Sequence, residues 1–309
     1  MLPLFRLLAR LPLWFLHLWG AAAGWLTFAG SRTYRERYRA NVHRSGLAWR
    51  DARGGIAHAG RMMAELPRLW LRPNDKTLGA SVSWDGAELI EAALAQGRGL
   101  VLLTPHLGCF EICAQAYAER FAAVDAPVQV PITVLFRPAR QAWLRRVVDG
   151  SRGRPGLATA TASLAGVRQM IRALRQGQTI GLLPDQVPPQ GLGVWAPFFG
   201  QPAYTMTLAA RLLQQTGAAG LLIWGERLSR GRGYVVHVLQ APEIAADCTP
   251  ESAATAINLA MEQMIRLAPS QYLWGYHRYK QPRGLDIGAA PKPPAPPATS
   301  PASNSSQER

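Results

Sequence analysis

From residue 81 onward, short apolar runs alternate with amphipathic segments of helical length, and this alternation limits the choice of fold more than any other feature of the chain. The apolar runs are bounded by Gly, Pro or polar residues, and the amphipathic segments carry apolar residues at helical spacing. This pattern favours an α/β domain over residues 81–287, with a layered sheet flanked by helices. It predicts strands at 99–103, 130–136, 179–183, 221–225 and 234–239, and helices at 87–96, 139–148, 164–175, 205–215 and 250–268.

Polar residues beside a proline follow three of the predicted strands. These groups are Pro105-His106, Arg137-Pro138 and Pro184-Asp185-Gln186. In open α/β sheets, ligands bind at the carboxyl ends of the strands, so side chains far apart in sequence can meet there. The alternative is that the prolines only end the strands. Three coincident cases favour a binding or catalytic site at this edge.

The first of these groups has residues suited to general base catalysis. His106 and Glu111 are separated by four residues, on a turn between a strand and a helix. Histidine titrates near neutral pH, and a carboxylate such as Glu111 can orient its ring. Backbone N–H groups near Gly108 are candidates to stabilise an oxyanion. No G-x-S-x-G elbow is present, and Cys109 is a less favoured nucleophile, so the base is predicted to activate a substrate hydroxyl.

The N-terminal 30 residues predict a membrane anchor. Residues 11–30 contain no Asp, Glu, Lys or Arg, and His17 is their most polar side chain. About 20 such residues can span a bilayer as a helix. The basic residues of the helical region 31–80 follow directly, which predicts that this side stays in the cytoplasm, against anionic headgroups. A cleaved signal peptide ending near Ala23 and a buried core helix are the alternatives.

The net charge of +15 indicates anionic partners, such as anionic lipid or an acidic protein. Nucleic acid is disfavoured, because the chain contains no helix-turn-helix, zinc-finger or RNA-binding signature. The three cysteines are too few and too scattered for a disulfide framework or a metal site. Residues 288–309 are rich in Ala, Pro and Ser and predict a disordered tail.

Several motifs, taken in order, resemble those of a known enzyme family. The spacing of His106 and Glu111 is similar to the His-x4-Asp/Glu motif of the glycerolipid acyltransferase superfamily. The wider set resembles the lipid A biosynthesis late acyltransferases of Gram-negative bacteria, from the anchor to about Lys280. That set is Phe136-Arg137-Pro138, the helix at 164–175, Pro184-Asp185-Gln186, Pro197-Phe198-Phe199-Gly200, Pro269-Ser270-Gln271-Tyr272-Leu273-Trp274 and His277-Arg278-Tyr279-Lys280.

The resemblance implies a glycerolipid-acyltransferase-like fold and transfer of an acyl chain from acyl-acyl carrier protein to a hydroxyl of a lipid A precursor of the Kdo2-lipid IVA type. The reaction would need no metal or cofactor and would take place at the cytoplasmic face of the inner membrane, with the enzyme held by one membrane-spanning helix. His106 would be the general base and Glu111 its orienting carboxylate. Arg137 would bind substrate phosphate or phosphopantetheine, and Asp185 and Gln186 would shape the acceptor site, with Gly108 also contacting substrate.

Two alternatives to this function stay open at the level of sequence. The first is an acyltransferase that acts on another lipid, such as a lysophospholipid or an ornithine lipid. The second is a lipid-binding protein of the same fold without catalytic activity. His106 and Glu111 are both intact, which argues against the second alternative.

Overall fold

The fold is taken from a computed structural model that describes residues 2–123, 126, 129–136 and 154–282. Arg137, the helix predicted at 139–148 and the predicted tail at 288–309 lie outside the described residues. The predicted α/β class is confirmed, since a mixed, mostly parallel sheet lies between helices.

The strands described are β1 Val82–Asp85, β2 Leu100–Leu103, β3 Ile132–Phe136, β4 Leu157–Thr161, β5 Thr179–Leu182, β6 Gly193–Phe198, β7 Gln201–Met206, β8 Ala219–Arg227 and β9 Tyr234–Gln240. The main sheet has seven strands in the order β1-β9-β8-β2-β5-β3-β4. Strands β8, β2, β5, β3 and β4 run parallel to one another, and β9 and β1 run the opposite way. The two remaining strands, β6 and β7, form a separate antiparallel hairpin.

The helices described are α1 Leu2–Arg10, α2 Leu13–Gly30, α3 Arg32–Arg44, α4 Trp49–Ala52, α5 Gly55–Trp70, α6 Ala87–Ala95, α7 Phe110–Phe121, α8 Leu164–Arg175, α9 Leu208–Thr216 and α10 Pro250–Leu267. They cover both faces of the sheet and enclose two apolar cores. One core includes Ile90 and Tyr117, from α6 and α7, and the other includes Met170, Leu212 and Met261, from α8, α9 and α10.

The main difference from the predicted elements is the β6–β7 hairpin. The sequence predicts a loop and an apolar turn before a helix beginning at 205, whereas Gly193–Phe198 pairs with Gln201–Met206 and the helix begins at Leu208. Phe199 and Gly200, both with positive φ, make the turn. The hairpin contains Pro197 and Pro202, which mask a strand pattern because proline cannot donate to a ladder.

The N-terminal helix α2 packs lengthwise against α5. A Cβ on Gly60 would lie 1.9 Å from the carbonyl oxygen of Gly20, so only glycine permits this approach of the two backbones. The face of α2 toward α5 includes the buried His17. The opposite face exposes five large apolar side chains, Trp14, Leu18, Trp19, Trp25 and Leu26.

The structure does not bear out the membrane-spanning helix predicted within residues 11–30. Among the residues described, no helix has both the length and the apolar character that crossing a bilayer requires.

Candidate active site

Pairing of β2 with β5 brings the first and third polar groups together. Leu103 is in register with Leu182, and the N–H of Thr104 donates to the carbonyl of Leu182 at 3.1 Å. The chain segments leaving these two parallel strands therefore begin side by side at the carboxyl edge of the sheet. This places His106 next to Asp185 although 79 positions separate them in sequence.

Asp185 holds His106 by two hydrogen bonds. The ring Nδ1 lies 2.7 Å from Oδ1 of Asp185, and the backbone N–H of His106 donates to Oδ2 at 2.9 Å. Asp185 is only 2% exposed, and burial alone would raise its pKa. The charge and hydrogen bonds of His106 and the charge of Arg278 outweigh burial, so the pKa of Asp185 falls below its ordinary value. The carboxylate is therefore ionised at neutral pH and fixes the ring.

The second ring nitrogen of His106 carries the basic lone pair. A carboxylate can only accept, so Nδ1 bears the proton toward Asp185 and Nε2 is unprotonated in the neutral ring. The amide nitrogen of Gln186 donates to Nε2 at 3.0 Å. The ring of Phe110 packs edge-on against the His106 ring, with the ring centroids 4.9 Å apart. The His106 side chain is 16% exposed. Nε2 is thus the ring atom with an unprotonated lone pair, and it could accept a proton from a substrate once the Gln186 amide moves aside.

Gly108 lets the turn that carries His106 pack against the end of β8. It has a φ of 57°, and a Cβ there would lie 2.0 Å from the carbonyl oxygen of Gly225. The N–H of Cys109 donates to that carbonyl at 2.8 Å, and the N–H of Gly108 donates to the carbonyl of Gln271 at 3.0 Å. An oxyanion contact from the Gly108 N–H would require the bond to Gln271 to break, and this role of Gly108 stays a prediction.

The structure gives Glu111 surroundings other than those predicted. Its carboxylate accepts a hydrogen bond from Nε1 of Trp70 at 3.3 Å, while Asp185 is the carboxylate at Nδ1 of His106. Consecutive helical residues differ by about 100° around the axis, so Phe110 meets the ring of His106 and Glu111 is directed toward the end of α5. The part that Glu111 takes in the reaction stays a prediction.

Cys109 is buried at the start of α7. Burial raises the pKa of its thiol well above the ordinary range, and the nearby charge of Glu65 raises it further. A thiol in this environment stays protonated and is a poor nucleophile. The less favoured alternative of cysteine catalysis therefore loses support.

Comparison with known proteins identifies the family. A family model described as bacterial lipid A biosynthesis acyltransferase matches residues 3–281, nearly the whole chain. The chain belongs to this family. The family resemblance predicted from the motifs is confirmed, and the protein is a lipid A biosynthesis acyltransferase.

Curated relatives agree with the family. The lipid A biosynthesis lauroyltransferase of Escherichia coli K12 is 27% identical over 236 residues, which is 73% of this chain and 71% of that protein. The lipid A biosynthesis palmitoleoyltransferase of the same strain is 26% identical over 223 residues, 72% of this chain and 68% of that protein. A lipid A biosynthesis acyltransferase of Haemophilus influenzae is 24% identical over 190 residues, which is 61% of this chain and 56% of that protein.

Two side chains and one backbone segment contact His106 in ways that the motifs alone do not specify. The family resemblance implies that Asp185 and Gln186 shape the acceptor site. In the structure both contact the His106 ring, and their part in acceptor binding stays a prediction. The segment after α10 also braces the turn, since the N–H of Leu273 donates to the carbonyl of His106 at 3.1 Å. In the sequence this segment is noticed only as part of the family motif at 269–274, and its residue pattern does not show which part of the chain it contacts.

Proposed function

We propose that this acyltransferase moves a fatty acyl chain from acyl-acyl carrier protein to a hydroxyl of a lipid A precursor of the Kdo2-lipid IVA type, with His106 as general base. The observation that carries the proposal is the pairing of His106 Nδ1 with Asp185, which leaves the Nε2 lone pair as the basic atom. The names of the two Escherichia coli relatives, which specify lauroyl and palmitoleoyl transfer in lipid A biosynthesis, support the choice of substrate class.

The transfer proceeds through one base and no enzyme nucleophile. Nε2 of His106 takes the proton of the acceptor hydroxyl, and the oxygen attacks the thioester carbonyl carbon. The carbon–sulfur bond breaks as the ester carbon–oxygen bond forms. The phosphopantetheine thiolate leaves, and it can take the proton back from the imidazolium. Since a thiolate is a good leaving group, the site needs no separate strong acid.

Asp185 is the carboxylate that orients His106 and stabilises the imidazolium in this proposal. Its two hydrogen bonds to one residue fix the ring and its tautomer, as the carboxylate of a catalytic triad does. Gln186 gives up its bond to Nε2 when the acceptor hydroxyl enters. Glu111 remains a proposed second carboxylate of the site, and Arg137 remains the proposed contact to substrate phosphate or phosphopantetheine.

We further propose that α1 and α2 hold the enzyme at the cytoplasmic face of the inner membrane. The apolar face of α2 that is turned away from α5 carries three tryptophans, the residue type enriched at membrane interfaces. The net charge of +15 favours an anionic lipid surface and an acidic acyl carrier protein over neutral partners. A membrane position also places the site beside a lipid acceptor.

The test is acyl transfer by the purified full-length protein, with acyl-acyl carrier protein as donor, a Kdo2-lipid IVA-type acceptor, and mass detection of the product. The His106→Gln variant is expected to lose at least about 10²-fold in turnover, since general base catalysis contributes about 10²–10⁴-fold. His237→Gln is the matched control, because His237 also pairs with carboxylates but lies on β9, outside the site. It should retain wild-type turnover.

Two outcomes would overturn the proposal. Near-wild-type turnover of His106→Gln would exclude His106 as the base. Transfer to a lysophospholipid or ornithine lipid at a rate well above that to the lipid A precursor would reassign the acceptor. All three acceptors belong in the same assay, with the same donor.

A further inference from the structure

A buried ion pair lies directly behind the catalytic turn. Glu65, on α5, is fully buried, and Arg227, at the end of β8, is 2% exposed. Nε of Arg227 donates to Oε2 of Glu65 at 2.9 Å, and Nη2 donates to Oε1. Burial alone would raise the pKa of Glu65, but the charge of Arg227 lowers it to about 2, so the pair is ionised. The two side chains form a bidentate, charge-assisted pair.

Arg227 also binds the backbone of the catalytic turn. The same Nη2 donates to the carbonyl oxygen of Gly108 at 3.1 Å. Gln271 joins the two from the other side: its side-chain oxygen accepts from the N–H of Arg227 at 3.0 Å, and its carbonyl accepts from the N–H of Gly108 at 3.0 Å. The N–H and the carbonyl of Gly108 are therefore both bonded by a cluster formed by Glu65, Arg227 and Gln271. Gly108 is two residues from His106.

Helix α2 takes part in the same cluster. Nε2 of His17 lies 3.0 Å from Oε2 of Glu65, and the hydroxyl of Tyr234 donates to the same oxygen at 3.0 Å. His17 is the polar residue that interrupts the apolar N-terminal segment, and this contact explains its presence. The cluster thus connects the N-terminal helix to the turn that carries the base.

We propose that Arg227, fixed by Glu65, is a positioning residue that holds the Gly108 carbonyl and thereby sets the place of His106 in the site. The proposal rests on the proposed function, in which His106 is the base. A buried ion pair gives little net stability over an apolar pair of similar size, because both charges lose their hydration. What an apolar pair cannot supply is a directed donor to the Gly108 carbonyl.

The test compares Arg227→Met with the double variant Glu65→Gln/Arg227→Met. The single variant leaves the Glu65 carboxylate buried without its cation, and we expect it to lose both thermal stability and turnover. In the double variant, the introduced amide keeps an oxygen for His17 and Tyr234, and neither charge of the pair remains. We expect its Tm to recover toward wild type while kcat per folded molecule stays down about 10- to 100-fold, since small misplacements of a catalytic group cost this much.

Two additions make the test independent of folding. Arg154→Lys is the matched control, because Arg154 is a buried arginine that donates to the backbone carbonyls of Leu69 and Arg72, neither of which belongs to the turn. It should retain wild-type kcat. The NMR resonance of the His106 Nδ1 proton reports the bond to Asp185, and it should shift or broaden in the double variant and stay unchanged in the control.

The proposal is overturned if kcat recovers together with Tm in the double variant and the His106 resonance is unchanged. The pair would then have a purely structural role. Failure of the proposed function is distinguishable. In that case the wild-type protein transfers no acyl chain to the lipid A precursor, or His106→Gln stays active, whatever the cluster variants do.

Discussion

His106 and His237 both contact carboxylates, and the two histidines differ in the partner of the second ring nitrogen. His106 meets one carboxylate, the buried Asp185, at Nδ1, and an amide donor at Nε2. His237 meets carboxylates at both nitrogens, Asp85 at 2.9 Å and Glu226 at 3.0 Å. It also stacks on Trp224 with the ring centroids 4.6 Å apart.

The difference lies in the lone pair. A carboxylate can only accept, so each nitrogen of His237 faces an acceptor and neither faces a donor. One carboxylate and one amide donor suit the neutral ring of His106, with a basic Nε2. A histidine beside an acid is therefore not enough to indicate catalysis. The partner of the second nitrogen must also leave that nitrogen a lone pair.

The largest expected loss comes from Asp185→Asn. The Asn oxygen can still accept from the His106 backbone N–H, which turns its NH₂ group toward Nδ1 and forces the ring proton to Nε2. The base atom is then already protonated, and turnover should fall about 10²–10⁴-fold, as it does when a triad carboxylate is replaced by its amide. Steady-state acyl transfer measures the loss. Turnover within about threefold of wild type would contradict the proposed role of Asp185.

Gln186→Glu would convert His106 to the arrangement of His237. A carboxylate at Nε2 in place of the amide donor favours a proton on that nitrogen, which removes the lone pair that the proposed mechanism uses. We expect turnover at pH 7 to fall about 10²-fold and to recover in part at higher pH, as seen in a pH–rate profile. Gln186→Ala is the matched control and should fall less than about tenfold. Equal losses in the two variants would count against the lone-pair explanation.

His58 differs from both of these histidines, because its neighbour is a cation: Nη1 of Arg227 lies 3.0 Å from its Nδ1. Burial and the charges of Arg227 and Arg61 lower the pKa of His58 to about 3, from an ordinary 6.5. Between these values the unfolded chain binds a proton that the folded protein does not, so stability should fall as pH drops from 6.5 toward 3.

Denaturant unfolding at several pH values measures this slope. His58→Asn should flatten it, since asparagine does not titrate, while His237→Asn should not flatten it in the same way. A slope unchanged by His58→Asn would show that other groups cause the acid sensitivity.

The smallest effect is expected from His237→Asn at neutral pH. The carboxylate of Asp85 is 71% exposed and that of Glu226 is 37% exposed, so the ion pairs are screened by solvent. Exposed pairs contribute about 0–1 kcal/mol, and the free energy of unfolding should change by no more than about 1 kcal/mol. Acyl transfer should be within about twofold of wild type. A large loss of turnover would show that the two histidines do not differ as described.

Much of the architecture can be predicted from the sequence, because its strands are buried and its helices amphipathic. The pattern predicts both the strand that precedes His106 and the strand that precedes Asp185, and their convergence follows from the rule for parallel sheets. Short elements such as β1 and the proline-containing β6–β7 hairpin cannot be predicted, since their patterns are weak and their pairing depends on distant residues.

The site can be predicted in its residues more than in its contacts. Spacing along one turn suggests Glu111 as the partner of His106, because residues close in sequence are the only neighbours that spacing can reveal. The pairing of β2 with β5 brings Asp185 closer, and spacing alone does not reveal it. The Glu65–Arg227 pair gives no sequence signal at all, because its two members lie 162 residues apart on elements that only the fold brings together.

The proposed orientation of His106 by Asp185 is tested by the ring-nitrogen NMR of His106 in the wild type and in two variants, Asp185→Asn and Glu111→Gln. The mechanism predicts that Nδ1 carries the proton in the wild type and in Glu111→Gln, while the proton moves to Nε2 in Asp185→Asn. Acyl transfer measured on the same samples should fall with the change of tautomer in Asp185→Asn. A tautomer that is lost in Glu111→Gln and kept in Asp185→Asn would contradict the claim and return the orienting role to Glu111.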